Sequence, residues 1–184
     1  MINEISKNDV IDIINGYAVI NNKKILFSER SIIDDTLYMI IPLDFKQMQS
    51  EIAISMFSDE SRPDIIFTDE LESMNISFSF REERFEMEET EEFNNALQQS
   101  IQETNPSYRF ISNDVIDLGD IRIGYFEFVS PIDEDELYNI MFIFSFNGRL
   151  VLGSFNRYYA DTNKWFEVSM QMLHSIRIVR NNKN

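Results

Sequence analysis

Two apolar runs near the C-terminus, residues 140–146 and 150–155, flank the dipeptide Asn147-Gly148. That dipeptide predicts a two-residue type I′ hairpin, because such a turn needs positive φ at both central positions. The turn then sets the register. Phe146 faces Arg149, Ser145 faces Leu150, Phe144 faces Val151, Ile143 faces Leu152 and Phe142 faces Gly153. One face carries Ile140, Phe142, Phe144, Phe146, Val151 and Phe155; the other carries Met141, Ile143, Leu150 and Leu152. An antiparallel sheet with one wet face would alternate cleanly between apolar and polar side chains. Apolar positions on both faces predict central strands covered on both sides.

The pattern changes period after the hairpin. Trp165, Val168, Ser169, Met172, Leu173 and Ile176 recur at helical spacing. Asp161 is positioned to cap that helix, which is expected to cover the hairpin. Residues 176–179 read as a short extended segment, and 181–184 as a frayed tail.

Earlier segments follow the same logic. A hairpin is expected around Asn21, Asn22 and Lys23, and a β-rich run at 36–41 stops at Pro42. Residues 43–49 read as a turn or a single helical turn, and 51–57 fits either helix or strand. Strands are expected at 64–68 and 73–80. In the second, Met74, Ile76, Phe78 and Phe80 alternate with Asn75, Ser77 and Ser79, which suits a strand near a sheet edge. Phe93, Ala96, Leu97, Ser100 and Ile101 predict a helix capped at Thr90 and ended by Asn105-Pro106. Strands at 108–118 and 121–129 lead through an acidic loop at 133–136 into the hairpin. The expected fold class is α+β: an α/β/α sandwich on a mainly antiparallel sheet. The expected organisation is a single domain over 1–184, with 1–30 as an N-terminal addition.

Charge alters this picture of an ordinary globular chain. The 184 residues carry a formal net charge of −16. Residues 51–92 hold fourteen acids against three bases, a net of −11 and so most of the total. Such a surface repels DNA and anionic lipid and favours basic partners. There is no Cys, so disulfides and thiolate metal sites are ruled out. The first residues lack a basic segment followed by an apolar run, and no run approaches the length of a membrane span. A cytoplasmic protein without membrane or nucleic-acid partners is expected.

The second half resembles the Mog1/PsbP-like superfamily. The resembling residues are Tyr138-Asn139, Phe155-Asn156, Trp165, and the run Met172, Leu173, His174, Ser175, Ile176, Arg177, Ile178. The order helix, meander, helix, short strand matches as well, over roughly 64–179. The resemblance implies a protein-binding module rather than an enzyme, since members include a small-GTPase-binding protein, photosystem accessory subunits and bacterial chaperones for secreted effectors. It carries no contact residue onto this chain.

Candidate chemistry is sparse. His174 is the only histidine, beside core positions Leu173 and Ile176, which suits a structural or surface role at a helix C-terminus. No Gly-x-Ser-x-Gly elbow is present. The five glycines assemble no phosphate-cradling loop. Asp133, Glu134, Asp135 and Glu136 lack the spacing of a calcium loop. The expectation is therefore no catalytic residue, metal or cofactor. Binding remains: Glu82, Glu83, Glu86, Glu88 and Glu89, with the loop acids Asp133, Glu134, Asp135 and Glu136, are expected to form a docking surface for a basic or secreted protein. Phe85 and Met87 are the expected apolar anchors. The competing reading is a small-ligand carrier or hydrolase whose pocket, between sheet and helix, gathers Tyr125, Glu127 and Tyr138.

Overall fold

The computed structural model describes residues 9–57, 62–159 and 162–179. The expected cap at Asp161 and the expected tail at 181–184 lie outside them. The described residues begin with strands β1 (Val10–Asp12), β2 (Tyr17–Ile20), β3 (Lys23–Ile33), β4 (Leu37–Pro42) and β5 (Lys46–Gln47). Helix α1 (Ser50–Met56) leads to β6 (Ile65–Thr68) and β7 (Met74–Arg84). Helix α2 (Thr90–Thr104) precedes β8 (Arg109–Asp117), β9 (Arg122–Ile132), β10 (Asp135–Phe146) and β11 (Arg149–Tyr158). Helix α3 (Thr162–His174) and β12 (Arg177–Ile178) complete the order. The chain divides into two compact units: Met1–Phe45 with Asp161–Asn184, and Lys46–Ala160.

In the first unit the strands form one sheet in the order β1-β2-β3-β4-β12. Asn21 and Asn22 both take positive φ, 51° and 61°, so the first hairpin closes on two residues. α3 packs on β4 and on the 3-10 turn at Ile13–Asn15. Gln171 of α3 donates to the Ile11 carbonyl at 3.1 Å and accepts from Ile13 N–H at 3.2 Å. Ser175 Oγ accepts the Ile40 N–H at 2.8 Å. Trp165, Val168, Ser169, Met172, Leu173 and Ile176 are all buried, as the helical spacing predicts. The difference lies in what α3 serves: it belongs to this unit, and the helix lying on the hairpin's own sheet within the larger unit is α2.

The larger unit holds a seven-stranded sheet in the order β5-β6-β7-β11-β10-β9-β8, with every pairing antiparallel. The hairpin register is the one Asn147-Gly148 predicts, including Ile143 opposite Leu152 and Phe142 opposite Gly153. Asn147 and Gly148 have φ of 55° and 73°. Ile140, Phe142, Ile143 and Phe144 are fully buried, so both faces of β10 are covered. β7 departs from its expected place near an edge. It lies between β6 and β11, and its polar side is absorbed by like residues across the ladder. The Ser77 and Ser154 hydroxyls meet at 2.7 Å, and Asn75 Nδ2 donates to Asn156 Oδ1 at 3.2 Å. Alternation alone does not separate a solvated face from a cross-strand polar ladder.

α2 lies on β8, β9 and β10. Its Asn94 is fully buried and donates to the Tyr125 carbonyl at 3.1 Å and to Asn113 Oδ1 at 2.7 Å. A Cβ at Gly124 would stand 2.7 Å from the Asn94 Cβ, so glycine lets helix and strand approach. On the opposite face the Phe142 ring lies over Gly153, where a Cβ would fall 2.1 Å from ring atoms. Phe142 also meets Phe78 edge-on at 5.8 Å and stacks with Phe144 at 6.4 Å. The ring therefore has no room to retreat. Gly153→Ala is expected to lower unfolding free energy by about 1–3 kcal/mol through overpacking, measured by chemical denaturation.

Candidate functional site

The acidic segment 82–92 is three local structures in succession. Glu82 and Glu83 extend β7 beyond its expected end at 80. Glu82 pairs with Arg149 across the ladder. Between Val151 and Arg149 the β7–β11 register shifts, an irregularity of the kind that re-aims side chains. Next, Glu86 accepts from Arg84 Nε at 2.8 Å, and its N–H donates to Glu89 Oε2 at 2.7 Å. This contact opens a 3-10 turn at Met87–Glu89 that runs into α2. The expected cap, Thr90, is instead the first residue of α2; it is fully buried and donates to the Met87 carbonyl at 2.7 Å. Glu91 and Glu92 occupy the first turn of α2, where the helix dipole favours acids.

Phe85 is the pivot of the segment. It is 4% exposed and packs with Ile143 and Leu150, with Phe93, Leu97 and Leu152 around them. Its ring meets Phe93 edge-on at 5.3 Å. Its N–H donates to the Gly148 carbonyl at 2.9 Å, and its carbonyl accepts the Ser145 hydroxyl at 2.6 Å. These bonds pin the segment to the tip of the β10–β11 hairpin. Phe85 is thus held inward rather than presented to solvent, and Met87 is half-buried.

Above this cluster lies a groove of about 580 Å³ between α2 and strands β7 and β11 on the helix-bearing face. Phe85, Phe93, Ala96, Leu150 and Leu152 form its apolar part. Arg81, Glu83, Arg84, Glu89 and Glu92 line it with charge. Of the residues the sequence singles out, Glu83, Phe85 and Glu89 therefore meet at one groove, and Glu82, Glu86, Met87 and Glu88 belong to the same segment. Leu150, Leu152 and Phe93 read as core in sequence. No sequence signal marks them as groove, because the opening depends on the register shift and on where α2 sits.

The second acidic cluster stands elsewhere. Asp133, with φ of 49°, and Glu134 make a tight turn, while Asp135 and Glu136 already belong to β10. The loop is shorter than its four acids suggest because β9 and β10 extend to meet it. Arg109 pairs with Glu136 at 3.2 Å. β10 is twelve residues long; at ~3.3 Å per residue, roughly 36 Å separates its two ends. Phe85 is bonded at the Gly148 end, so the two acidic clusters form two separate patches.

The residues of the competing reading are also placed. Tyr125, Glu127 and Tyr138 are buried. Tyr138 Oη donates to Glu127 Oε2 at 2.5 Å, and Ser112 Oγ donates to Glu127 Oε1. Both carboxyl oxygens are thus occupied by protein donors. His174 is exposed, and its Nδ1–H donates to the Met170 carbonyl at 2.7 Å. No group of three His, Asp or Glu suited to a metal ion occurs among the described residues. No helix among them is long and apolar enough to cross a membrane.

Burial, and behind it the hydrogen bond to Glu127, hold the Tyr138 hydroxyl protonated well above the ordinary tyrosine range. A folded-state value raised in this way gives stability that is complete below the unfolded tyrosine value, about 10, and declines as pH climbs beyond it. Tyr138→Phe is expected to cost about 1–3 kcal/mol near neutral pH, because Glu127 loses a donor. It should also make the loss of stability above pH ~10 shallower. Denaturation at a series of pH values measures both effects.

No protein-family model matches the chain, and no curated protein matches it. Solved structures do. The solution structure of cyanobacterial PsbP (CyanoP) from Synechocystis sp. PCC 6803 matches with a TM-score of 0.54 at 12% identity, over 83% of this chain and 92% of that one. A crystal structure of PA94, a protein of unknown function from Pseudomonas aeruginosa, matches with a TM-score of 0.47 at 8% identity, over 85% and 99%. Identity this low speaks to architecture alone. On the cyanobacterial likeness, this chain of helices and antiparallel sheet has a PsbP-like fold.

Proposed function

We infer that the chain is a non-enzymatic, cytoplasmic protein-binding module that docks a basic partner, as an adaptor, chaperone or immunity-type protein would. Architecturally, this reading treats α2 and the seven-stranded sheet as two layers of an α/β/α sandwich. The observation that carries the reading is the joining of acids and apolar groove at one place. Five apolar residues converge beside Glu83, Glu89 and Glu92 at the foot of α2. Acids serving only solubility need no such neighbour. Charge of this density accelerates encounter with a basic protein, and a desolvated apolar contact then slows its departure. The patch at Asp133, Glu134, Asp135 and Glu136 is a second surface, separate from this one.

Local structure decides which acids are available. Glu82 is taken by Arg149, Glu86 by Arg84, and Glu89 by the Glu86 N–H. Glu83, Glu88 and Glu92 have no hydrogen-bond or ion-pair partner among the described residues and face solvent. Reversing these three, with Glu83→Lys, Glu88→Lys and Glu92→Lys together, alters docking charge without removing the turn that starts α2. In pull-downs from the source cell at low and moderate salt, the wild-type chain should retain basic proteins that are lost as salt rises. The triple variant should retain none of them. Equal capture by both would sink the acidic surface as the binding determinant.

A further inference from the structure

Phe85 and Met87 read in sequence as knobs offered to a partner, yet the fold turns Phe85 inward and makes it one wall of an opening. Resting on the protein-binding reading above, we propose that the polarity of the contact is reversed: this chain supplies the hole, and the partner supplies a bulky apolar side chain flanked by Lys or Arg. The occupant of the groove between α2 and β7–β11 is therefore a basic amphipathic segment of another protein.

Three observations specify that occupant. The first is size. A cavity of ~150 Å³ suffices for a benzene-sized group, so the groove, at about 580 Å³, has room for two or three large side chains. The second is chemistry. Phe85, Phe93, Ala96, Leu150 and Leu152 offer no hydrogen bonding from their side chains, so what enters them must be hydrocarbon. The third is charge at the rim. Glu83 and Glu92 stand open at the rim with Arg81, while Glu89 accepts the Glu86 N–H at 2.7 Å and Arg84 is engaged by Glu86 at 2.8 Å. Glu88 adds a further acid on the adjoining turn. An anionic amphiphile such as a fatty acid would find one open cation among the described residues there, Arg81, against Glu83, Glu88 and Glu92, whereas a cationic flank would neutralise the acidic excess. A segment with apolar residues at helical spacing and basic residues between them satisfies all three conditions.

The fold also keeps the groove in shape without an occupant. Phe85 is bonded through its own backbone to Gly148 and Ser145, and its ring is braced by Phe93. A pre-formed hole loses less ordering entropy on binding than one the partner must open.

The test uses the full chain and two synthetic probes of equal charge, read by fluorescence anisotropy. One is a Lys/Leu amphipathic peptide with Leu at helical spacing; the other has Ser in place of every Leu. The Lys/Leu peptide is expected to bind the wild-type chain at least tenfold more tightly than its Ser twin. Ala96 is exposed on α2, so Ala96→Trp fills the groove from outside; it should abolish that difference and leave binding of the Ser twin unchanged. If the Trp variant does not fold, Ala96→Gln reads the same contact with a smaller side chain. Equal binding of the two peptides to the wild-type chain, or a difference that survives filling at position 96, overturns the proposal. If both peptides bind equally and the triple charge reversal abolishes both, the groove proposal fails while the acidic docking surface stands. If neither peptide binds, both readings fall together.

Discussion

Positive φ at Asn147 and Gly148 closes β10 onto β11 in one register, and much of the larger unit inherits its coordinates from that closure. A slip of one residue would exchange the faces of both strands. Phe142 would leave its seat over Gly153, and Ile143 and Leu150 would leave the side that α2 covers. The turn also reaches beyond its own strands. Gly148 accepts the Phe85 N–H, so the approach to α2 is tied to the hairpin tip. The groove beside Phe85 exists because one turn, one strand irregularity and one helix start are held together there.

The acidic segment shows how charge is divided between structure and surface. Glu82 and Glu86 pair with arginines from the same ladder, and Glu89 satisfies a backbone donor where the helix begins. Glu91 and Glu92 sit at the positive end of the α2 dipole. These contacts are exposed and individually weak. Together they fix a direction for the chain, and they leave a subset of acids at the groove rim. A run that looks uniform in sequence is therefore structurally uneven.

A PsbP-like fold does not by itself assign an activity, since one fold hosts unrelated sites. What distinguishes this chain is what it builds on that fold. The buried Glu127–Tyr138–Ser112 cluster has its carboxyl oxygens satisfied within the protein, which is how a polar group is stabilised in a core. The groove differs in that its apolar side chains are brought together beside charge and left open.

Sequence by itself determined the elements whose causes are local. The Asn147-Gly148 turn, the helix stripe from Trp165 to Ile176, the stop at Asn105-Pro106 and the two-faced burial of β10 follow from φ preferences and hydrophobic period, which act within a few residues. Tertiary structure decided what depends on residues far apart in the chain. It put β7 in the sheet interior, because Ser77 and Asn75 find partners on β11 that no local pattern reveals. It assigned α3 to the smaller unit and α2 to the hairpin's sheet. It separated the acids at 133–136 from those at 82–92, since the first open β10 and the second are bonded to the hairpin tip beyond its other end. It also turned Phe85 from an expected knob into the wall of a groove, because burial is set by neighbours in space, and spacing along the chain does not encode them.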